Sequence, residues 1–232
     1  MNDLVRGLAQ AVQLILSGDP ALLQIILLSL RVTGLALVIS TATGVPIGAA
    51  LGLSRIQARG LITALLYTGM GLPPVVVGLF VYLTLSRSGP LGTLSWLFTP
   101  SAMVTAQVII AFPLVSGLTM TAVQSVDPNL RLQVRSLGAT HVQEIWAVLR
   151  EARIGVVAAI VAAFGGIISE VGAVMLVGGN IEGKTRVLTT AIVLNTRTGE
   201  FSLALALGII LLALAFLANV AMLRLQGMTN IE

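Results

Sequence analysis

The chain has 232 residues, of which 56% are hydrophobic and only 9% are charged. A soluble domain carries about 25% charged residues, so this composition cannot cover a water-exposed surface. The net charge of +4 comes without a cluster of Lys and Arg with interleaved aromatics, which argues against nucleic-acid binding. With no cysteine and one histidine, His141, the chain offers no disulfide framework and no metal site. The sequence therefore predicts an integral membrane protein.

The first 20 residues predict a helix that lies on the membrane surface. They have no basic segment and no small-residue cleavage site, so we expect no removable signal peptide. Their apolar residues share one helical face over a stretch that is too short to span a bilayer. These residues are Leu4, Val5, Leu8, Val12, Ile15 and Leu16.

A membrane span needs roughly 20 predominantly apolar residues, and each should be helical because the bilayer offers no water to an unpaired backbone group. The first apolar run is over-long and contains Pro46, where a tilt or kink is expected. The fold class predicted is an all-α, polytopic transmembrane bundle of about five helices, forming one domain over residues 1–232. Five segments qualify as spans: Leu22–Leu53, Leu61–Leu85, Ala102–Val126, Ile154–Val177 and Phe201–Leu223.

The charge distribution favours one orientation in the membrane. Basic residues accumulate in the cytoplasmic loops of membrane proteins. If the loop Asp127–Arg153 is cytoplasmic, more Arg face inward than basic residues face outward, although the bias is modest. The inward residues are Arg55, Arg59, Arg131, Arg135, Arg150, Arg153 and Arg224; the outward ones are Arg6, Arg87, Lys184, Arg186 and Arg197.

The loop 127–153 has helical signals of its own. Asp127 and Pro128 form a helix start, with Asp as the N-cap and Pro at the first helical position. Gly138 interrupts the helix, and Thr140 with Gln143 predicts a capping box for a second helix. On that helix Val142, Ile145, Trp146 and Leu149 share a face, while Gln143, Glu144 and Arg150 lie away from it. Such an amphipathic helix either docks on a partner or rests on lipid.

The same loop resembles the EAA loop of bacterial ABC importer permeases, in which a coupling helix inserts into the cytoplasmic ATPase subunit. Two departures stand against it: Leu132-Gln133-Val134 replaces Glu-Ala-Ala, and Arg150-Glu151 replaces Leu-Pro. The residues that match are Asp127, Pro128, Leu137, Gly138, Ala139, Val148, Ala152, Arg153 and Gly155. The resemblance implies that ATPase coupling falls to Arg135, Ser136, Leu137, Gly138, Ala139, Thr140, Val142, Ile145 and Trp146.

The resemblance extends over most of residues 24–224. Three segments resemble segments of molybdate-type permeases and occur in the same order along the chain. They are Leu72–Leu79, Gly89–Val115 and Ser169–Ile181. The run E-V-G-A-V-M-x-V-G-G-N-I, followed by T-R-V-L-T-T-A-I, is closest to the tungstate branch. This implies a type I ABC importer permease fold and transport of tungstate, or molybdate, through a homodimer. Another oxyanion such as sulfate remains an alternative.

The resemblance also implies the partners. They are a cytoplasmic ABC ATPase dimer, an extracytoplasmic oxyanion-binding protein, a second copy of the chain and the lipid bilayer. The chain has no phosphate-binding Gly-x4-Gly-Lys-Ser/Thr loop, so we expect it to bind no cofactor, with ATP and Mg²⁺ on the ATPase subunit.

Two charged residues lie within predicted spans. The long side chain of Arg31 is expected to snorkel outward to lipid headgroups, and attraction of a dianion is the alternative. Glu170 would repel an oxyanion, so we expect it in a hydrogen-bonded contact between helices, with a gating role equally open.

Prolines and glycines mark a second group of candidate residues. Pro73 and Pro74 break the second span. The broken helix either lines a pathway, as in transporters, or is only bent at this point. Gly178-Gly179-Asn180 predicts a helix C-cap, with contact to an oxyanion a weaker alternative. The candidate translocation or gating residues are Pro73, Pro74, Glu170, Gly172, Gly178, Gly179 and Asn180.

Three other classes of function were weighed. An ion-coupled secondary transporter would need several intramembrane acids, and only Glu170 qualifies. An intramembrane enzyme lacks both a metal site and a carboxylate pair. A membrane scaffold without transport stays open.

Overall fold

A computed structural model describes residues 16–54 and 59–225, together with Val5, Gly7, Ala9, Val12 and Gln13. The predicted surface helix over residues 1–20 lies for the most part outside the described residues. The described residues form α-helices and one 3-10 turn at Gly92–Leu94, and they form no strand. The helices are α1 Pro20–Leu53, α2 Arg59–Met70, α3 Pro74–Leu85, α4 Pro100–Gln124, α5 Pro128–Ser136, α6 His141–Glu151, α7 Arg153–Ile168, α8 Gly172–Gly178, α9 Leu188–Arg197 and α10 Phe201–Leu225.

Helix α1 begins at a capping residue and runs through its internal proline. The Asp19 carboxylate accepts hydrogen bonds from the backbone N–H groups of Ala21 and Leu22, at 2.7 and 3.1 Å, and Pro20 takes the first turn. At 1.5 Å per residue the helix is about 51 Å long, well beyond a hydrocarbon core of about 30 Å. Pro46 lies inside this helix and does not end it.

Three helices, α1, α4 and α10, are each long and apolar enough to cross a membrane, and bent pairs raise the number to as many as five among the described residues. The predicted second span is such a pair. α2 and α3 meet at 98° across the break at residues 71–73, as the prolines indicated.

The predicted fourth span is wrong as a single helix. α7 ends at Ile168, and α8 begins at Gly172 after a break. The Ser169 hydroxyl donates to the Gly165 carbonyl at 2.8 Å, and the Glu170 carboxylate accepts from the Ala173 N–H, also at 2.8 Å. These side chains supply partners to a helix end and a helix start, which stabilises the interruption.

Helix α9 lies between the predicted fourth and fifth spans, where the sequence predicts no helix. Its ten residues are too few and too polar for a hydropathy signal. Leu188 and Ala191 are nevertheless buried with Leu207 and Ile210 of α10 and with Leu22 of α1. Packing against α1 and α10 therefore stabilises a helix that the local sequence does not predict.

The closest packing in the bundle joins α1 to α4. Gly44, Gly48 and Gly52, four residues apart, bring one face of α1 against Val115, Ser116 and Val123 of α4. A side chain on Gly48 would collide with the backbone carbonyl of Ser116. Small residues at this spacing allow helix backbones to approach within a membrane.

The two ends of the bundle carry different elements. Val148 and Ala152 of α6 and its C-cap pack with Ala49 of α1 and Val123 of α4, which places the α5–α6 segment at the end where α1 finishes. The start of α1 and the segments 86–99 and 179–187 lie at the opposite end. There the Thr185 hydroxyl donates to the Gly178 carbonyl at 2.6 Å and accepts from the Ile181 N–H at 2.9 Å.

Candidate functional site: the α5–α6 loop and two broken helices

The capping pattern predicted for the α5–α6 segment is confirmed. Asp127 accepts from the Asn129 N–H at 2.8 Å, and Pro128 occupies the first helical position of α5. Thr140 and Gln143 form the reciprocal capping box of α6. Between the two helices Gly138 has a φ of +83°, a conformation that side chains strongly disfavour. The turn thus depends on glycine at this position.

A buried carboxylate joins the two helices. Glu144 accepts hydrogen bonds from Arg131 Nε at 2.6 Å and from Arg135 Nε at 2.8 Å, and its side chain is only 2% exposed. His141 Nδ1 lies 3.5 Å from the same carboxylate. Hydrogen bonds from Arg135 and then Arg131 lower the pKa of Glu144 from 4.5 to about 2, against the opposing effect of burial. The charge of Glu144 is therefore part of the local structure.

The helical-face prediction set Glu144 apart from Val142 and Trp146, and Glu144 is buried while those two side chains are exposed. The predicted apolar face does not form the main contact with the bundle. The face packed on the bundle is instead formed by Glu144 and Val148, four residues apart, and by Ala152. The structure adds Glu144 and Arg131 to the candidate site, and the sequence analysis did not assign them to it. One sequence pattern could have indicated them. Arg131 and Arg135, four residues apart, share a face of α5, and Glu144 is the one acid in the first turn of α6.

The predicted apolar face of α6 is only partly packed. Val142 and Trp146 are 63% and 69% exposed, and Leu137 in the preceding turn is 86% exposed. Ile145 and Leu149, also assigned to that face, are half-buried. We call Leu137, Val142 and Trp146 the exposed loop face. Arg135 and Arg150 are also exposed, so this end of the bundle presents apolar and basic groups.

The two breaks in the predicted spans lie side by side. α3 packs directly on α8: a side chain on Gly172 would meet Val75, and one on Gly78 would meet the backbone of Ala173. The break after α2, which contains Pro73, is thereby brought next to the break that contains Glu170. Glu170 is half-buried, and its backbone carbonyl also accepts from the Thr189 hydroxyl at 3.0 Å. The carboxylate bond is local to the α7–α8 break, and only the backbone carbonyl of Glu170 bonds to α9. The predicted side-chain contact between helices therefore stays a prediction.

The other end of α8 carries the predicted C-cap. Gly179 is the cap, with a φ of +72°, and its N–H donates to the Met175 carbonyl at 2.9 Å. Asn180 follows with a φ of +51°, in the left-handed region that Asn tolerates. Gly178 is buried against Met103. The cap is therefore seen, and these three residues are separated by the length of α8 from Pro73, Pro74 and Glu170.

Two buried polar side chains tie the end of α7 and the start of α9 into the bundle. Gln107 Nε2 donates to the Ile167 carbonyl at 3.0 Å, just before the α7–α8 break. The Ser29 hydroxyl of α1 accepts from the Leu188 N–H at 2.9 Å, at the start of α9. Neither residue was singled out from sequence, because isolated polar residues in apolar runs carry no local sign of their partners.

Similarity to a known protein family defines the class of protein. Residues 44–227 match the family described as binding-protein-dependent transport system inner membrane component. The chain therefore belongs to this family of multi-pass inner-membrane transport proteins, as the loop and span motifs indicated.

Relatives specify the branch further. The tungstate uptake system permease protein TupB of Peptoclostridium acidaminophilum is 39% identical, over 97% of this chain and 99% of its own. A probable anion ABC transporter permease protein of Haloferax volcanii is 45% identical over 90% and 92%. The molybdenum transport system permease protein ModB of Escherichia coli K12 is 30% identical over 84% and 89%.

The fold is that of solved ABC transporters. In a structure of the MetNI methionine ABC transporter in an inward-facing conformation, a chain of 17% identity matches with a TM-score of 0.69. The match covers 89% of this chain and 96% of the other. At that identity the match concerns the fold alone.

Proposed function

We propose that this chain is the membrane-spanning permease subunit of an ATP-driven importer for tungstate or molybdate, with tungstate the preferred substrate. The observation that carries the proposal is the 39% identity, over nearly the full length of both chains, to a permease named for tungstate uptake. The lower identity and coverage of the molybdenum permease support the preference between the two anions.

The α5–α6 segment is the docking element for the ATPase. Its exposed loop face offers three apolar side chains at the end of the bundle, with Arg135 and Arg150 beside them. Exposed aromatic and aliphatic side chains of this kind act as anchors in protein interfaces. The segment then lies on the cytoplasmic side, in agreement with the charge bias of the loops.

Glu144 gives the docking element its rigidity. The carboxylate holds two arginines of α5 while its own helix packs on the ends of α1 and α4. A displacement of the loop by the ATPase would therefore pass to those two helices as a unit. ATP and Mg²⁺ bind to the ATPase, and this chain converts its closure into movement of the pathway.

A second copy of the chain completes the pathway. The carbonyl groups of Gly71 and Leu72, between α2 and α3, accept no hydrogen bond from the described residues. Such backbone is tolerated at membrane depth only where protein covers it or a water-filled cavity borders it. The neighbouring face of α3 exposes Val76, Phe80 and Leu83. A homodimer that meets across this face supplies the cover and encloses the route of the anion.

Selection of the anion falls to an extracytoplasmic binding protein. Tungstate and molybdate are dianions of nearly equal size, and Glu170, the acid at the α7–α8 break, would repel either. The role of Glu170 is to hold that break, where its carboxylate caps α8.

The docking proposal is tested by copurification of an ABC ATPase subunit from the same organism. Trp146→Ala should weaken ATPase binding by about 30-fold, because exposed interface tryptophans commonly contribute about 2 kcal/mol. Trp96→Ala is the control, since this second exposed tryptophan lies at the opposite end of the bundle. Equal ATPase binding by Trp146→Ala and the unchanged chain would refute docking through this face.

A further inference from the structure

Two cavities meet at Arg31, at the end of the bundle opposite the α5–α6 loop. The first, of about 680 Å³, lies between the start of α1, the segment 182–186 and helices α9 and α10. The second, of about 410 Å³, is a groove between α1 and α4 that Trp96 borders. Arg31 and Pro100 line both, so the first cavity and the groove adjoin at these residues.

The first cavity carries cations that lack partners within the protein. Its two acids are engaged: Asp19 caps α1, and Glu182 pairs with Arg186 at 3.3 Å. Arg31 and Lys184 form no ion pair or hydrogen bond with any described residue. The Nε atom of Arg186 is buried and also without a partner. A cation within an apolar span is costly unless an anion or water compensates it.

The groove is apolar and runs away from Arg31 along α1. Leu35 and Ile39 follow Arg31 by one and two turns, and Val108 and Ile109 form the opposite wall on α4. Leu35, Ile39 and Ile109 are each more than 40% exposed. At 1.5 Å per residue, the groove extends about 12 Å from Arg31 toward the centre of the membrane.

We propose that this surface binds an anionic phospholipid. The phosphate lies between Arg31 and Lys184, and one acyl chain follows the groove past Leu35 and Ile39. A free oxyanion would satisfy the cations and leave the apolar groove empty. An anionic phospholipid fits both features, because its phosphate headgroup would meet the unpaired cations and its acyl chain would occupy the adjoining apolar groove.

The test is lipid retention by the purified full chain, measured by native mass spectrometry with phosphatidylglycerol and phosphatidylcholine of the same acyl chains. Arg31→Gln should weaken phosphatidylglycerol binding about fivefold or more, as loss of one basic contact predicts. Arg87→Gln is the control, because Arg87 is exposed at the same end and borders neither cavity. Leu35→Trp, which fills the groove without adding polarity, should weaken the binding too. Lys184→Gln provides a second cation variant should Arg31→Gln fail to fold.

Three results would overturn the proposal. Equal binding of phosphatidylcholine would remove the role of charge, and unchanged binding in the cation variants would remove these residues. Displacement of the lipid by tungstate or glycerol phosphate at equal concentration would identify a site for a free oxyanion instead. The proposal is supported if the chain prefers phosphatidylglycerol, if Arg31→Gln and Leu35→Trp both reduce this preference, and if Arg87→Gln preserves it.

Discussion

The environment of Glu144 differs from what its residue type suggests. A charged side chain on a short amphipathic helix ordinarily faces water, yet this carboxylate is 2% exposed and bound by two arginines. Both arginines are themselves partly exposed, so they can regain water if the carboxylate is removed. The carboxylate therefore links α5 to α6 through two charge-assisted hydrogen bonds.

Replacing Glu144 should loosen this end of the molecule. Glu144→Gln removes two charge-assisted hydrogen bonds, and we expect a loss of about 1.5–3 kcal/mol in the free energy of unfolding. Glu151→Gln is the control, since Glu151 is exposed on the same helix and forms no ion pair among the described residues. Thermal unfolding in detergent compares the two variants. Similar unfolding temperatures for both would contradict the structural role of Glu144.

The same cluster predicts a pH dependence. Because the pKa of Glu144 is lowered from 4.5 to about 2 in the folded chain, its stabilising effect is fully present above pH 4.5. The effect is lost as the pH falls from 4.5 to about 2. The difference in unfolding temperature between the wild type and Glu144→Gln should therefore shrink over that range. A constant difference would show that the charge of Glu144 is not its source.

At the residue scale, local signals are readable from sequence and tertiary partners are not. The caps at Asp127 and Thr140 and the positive φ of Gly138 follow from chemistry within three or four residues. The inward position of Glu144 depends on how α6 rotates against the bundle, which no local pattern specifies.

The contact between α1 and α4 is decided by the spacing of small residues. Gly48 meets the Ser116 backbone, whereas Gly34, in the same helix, has no neighbouring atom within 4 Å of an added side-chain carbon. Gly48→Ala should lower stability by about 1–3 kcal/mol, because the two backbones must separate. Gly34→Ala should leave stability unchanged or raise it slightly. Equal unfolding temperatures for the two variants would argue against close packing at Gly48.

Helix existence was more predictable than helix continuity. Long apolar runs predicted the three uninterrupted spanning helices, and the paired prolines predicted the break between α2 and α3. The break at Ser169–Val171 has no proline; its hydrogen bonds come from side chains that read equally well as polar residues within a helix. α9 was missed because its stability comes from burial against α1 and α10.

The proposed homodimer brings the faces of α3 together. The sequence contains no cysteine, so a single introduced cysteine reports one position. Phe80→Cys should form a crosslinked dimer in native membranes. Phe216→Cys, on α10, should not, although Phe80 and Phe216 are equally exposed at 67% in the single chain. Crosslinking at Phe216 and not at Phe80 would place the contact between copies on another face.

For the whole molecule, family and fold were predictable because several motifs occur in the correct order along the chain. The match over residues 44–227 and the near full-length relatives agree with that order. The anion is harder to predict from sequence, because in the proposed function a separate binding protein selects it.

The central claim is best tested by ATPase activity in liposomes that contain this chain, an ABC ATPase subunit from the same organism and the binding protein. Tungstate, molybdate, sulfate and no added anion are compared. We expect tungstate to stimulate ATP hydrolysis, Gly138→Val to abolish the stimulation, and Gly199→Val, at a glycine of the same φ of +83°, to preserve it. Stimulation by sulfate alone would contradict the assigned substrate. Failure of the chain to recruit any ATPase would contradict the importer itself.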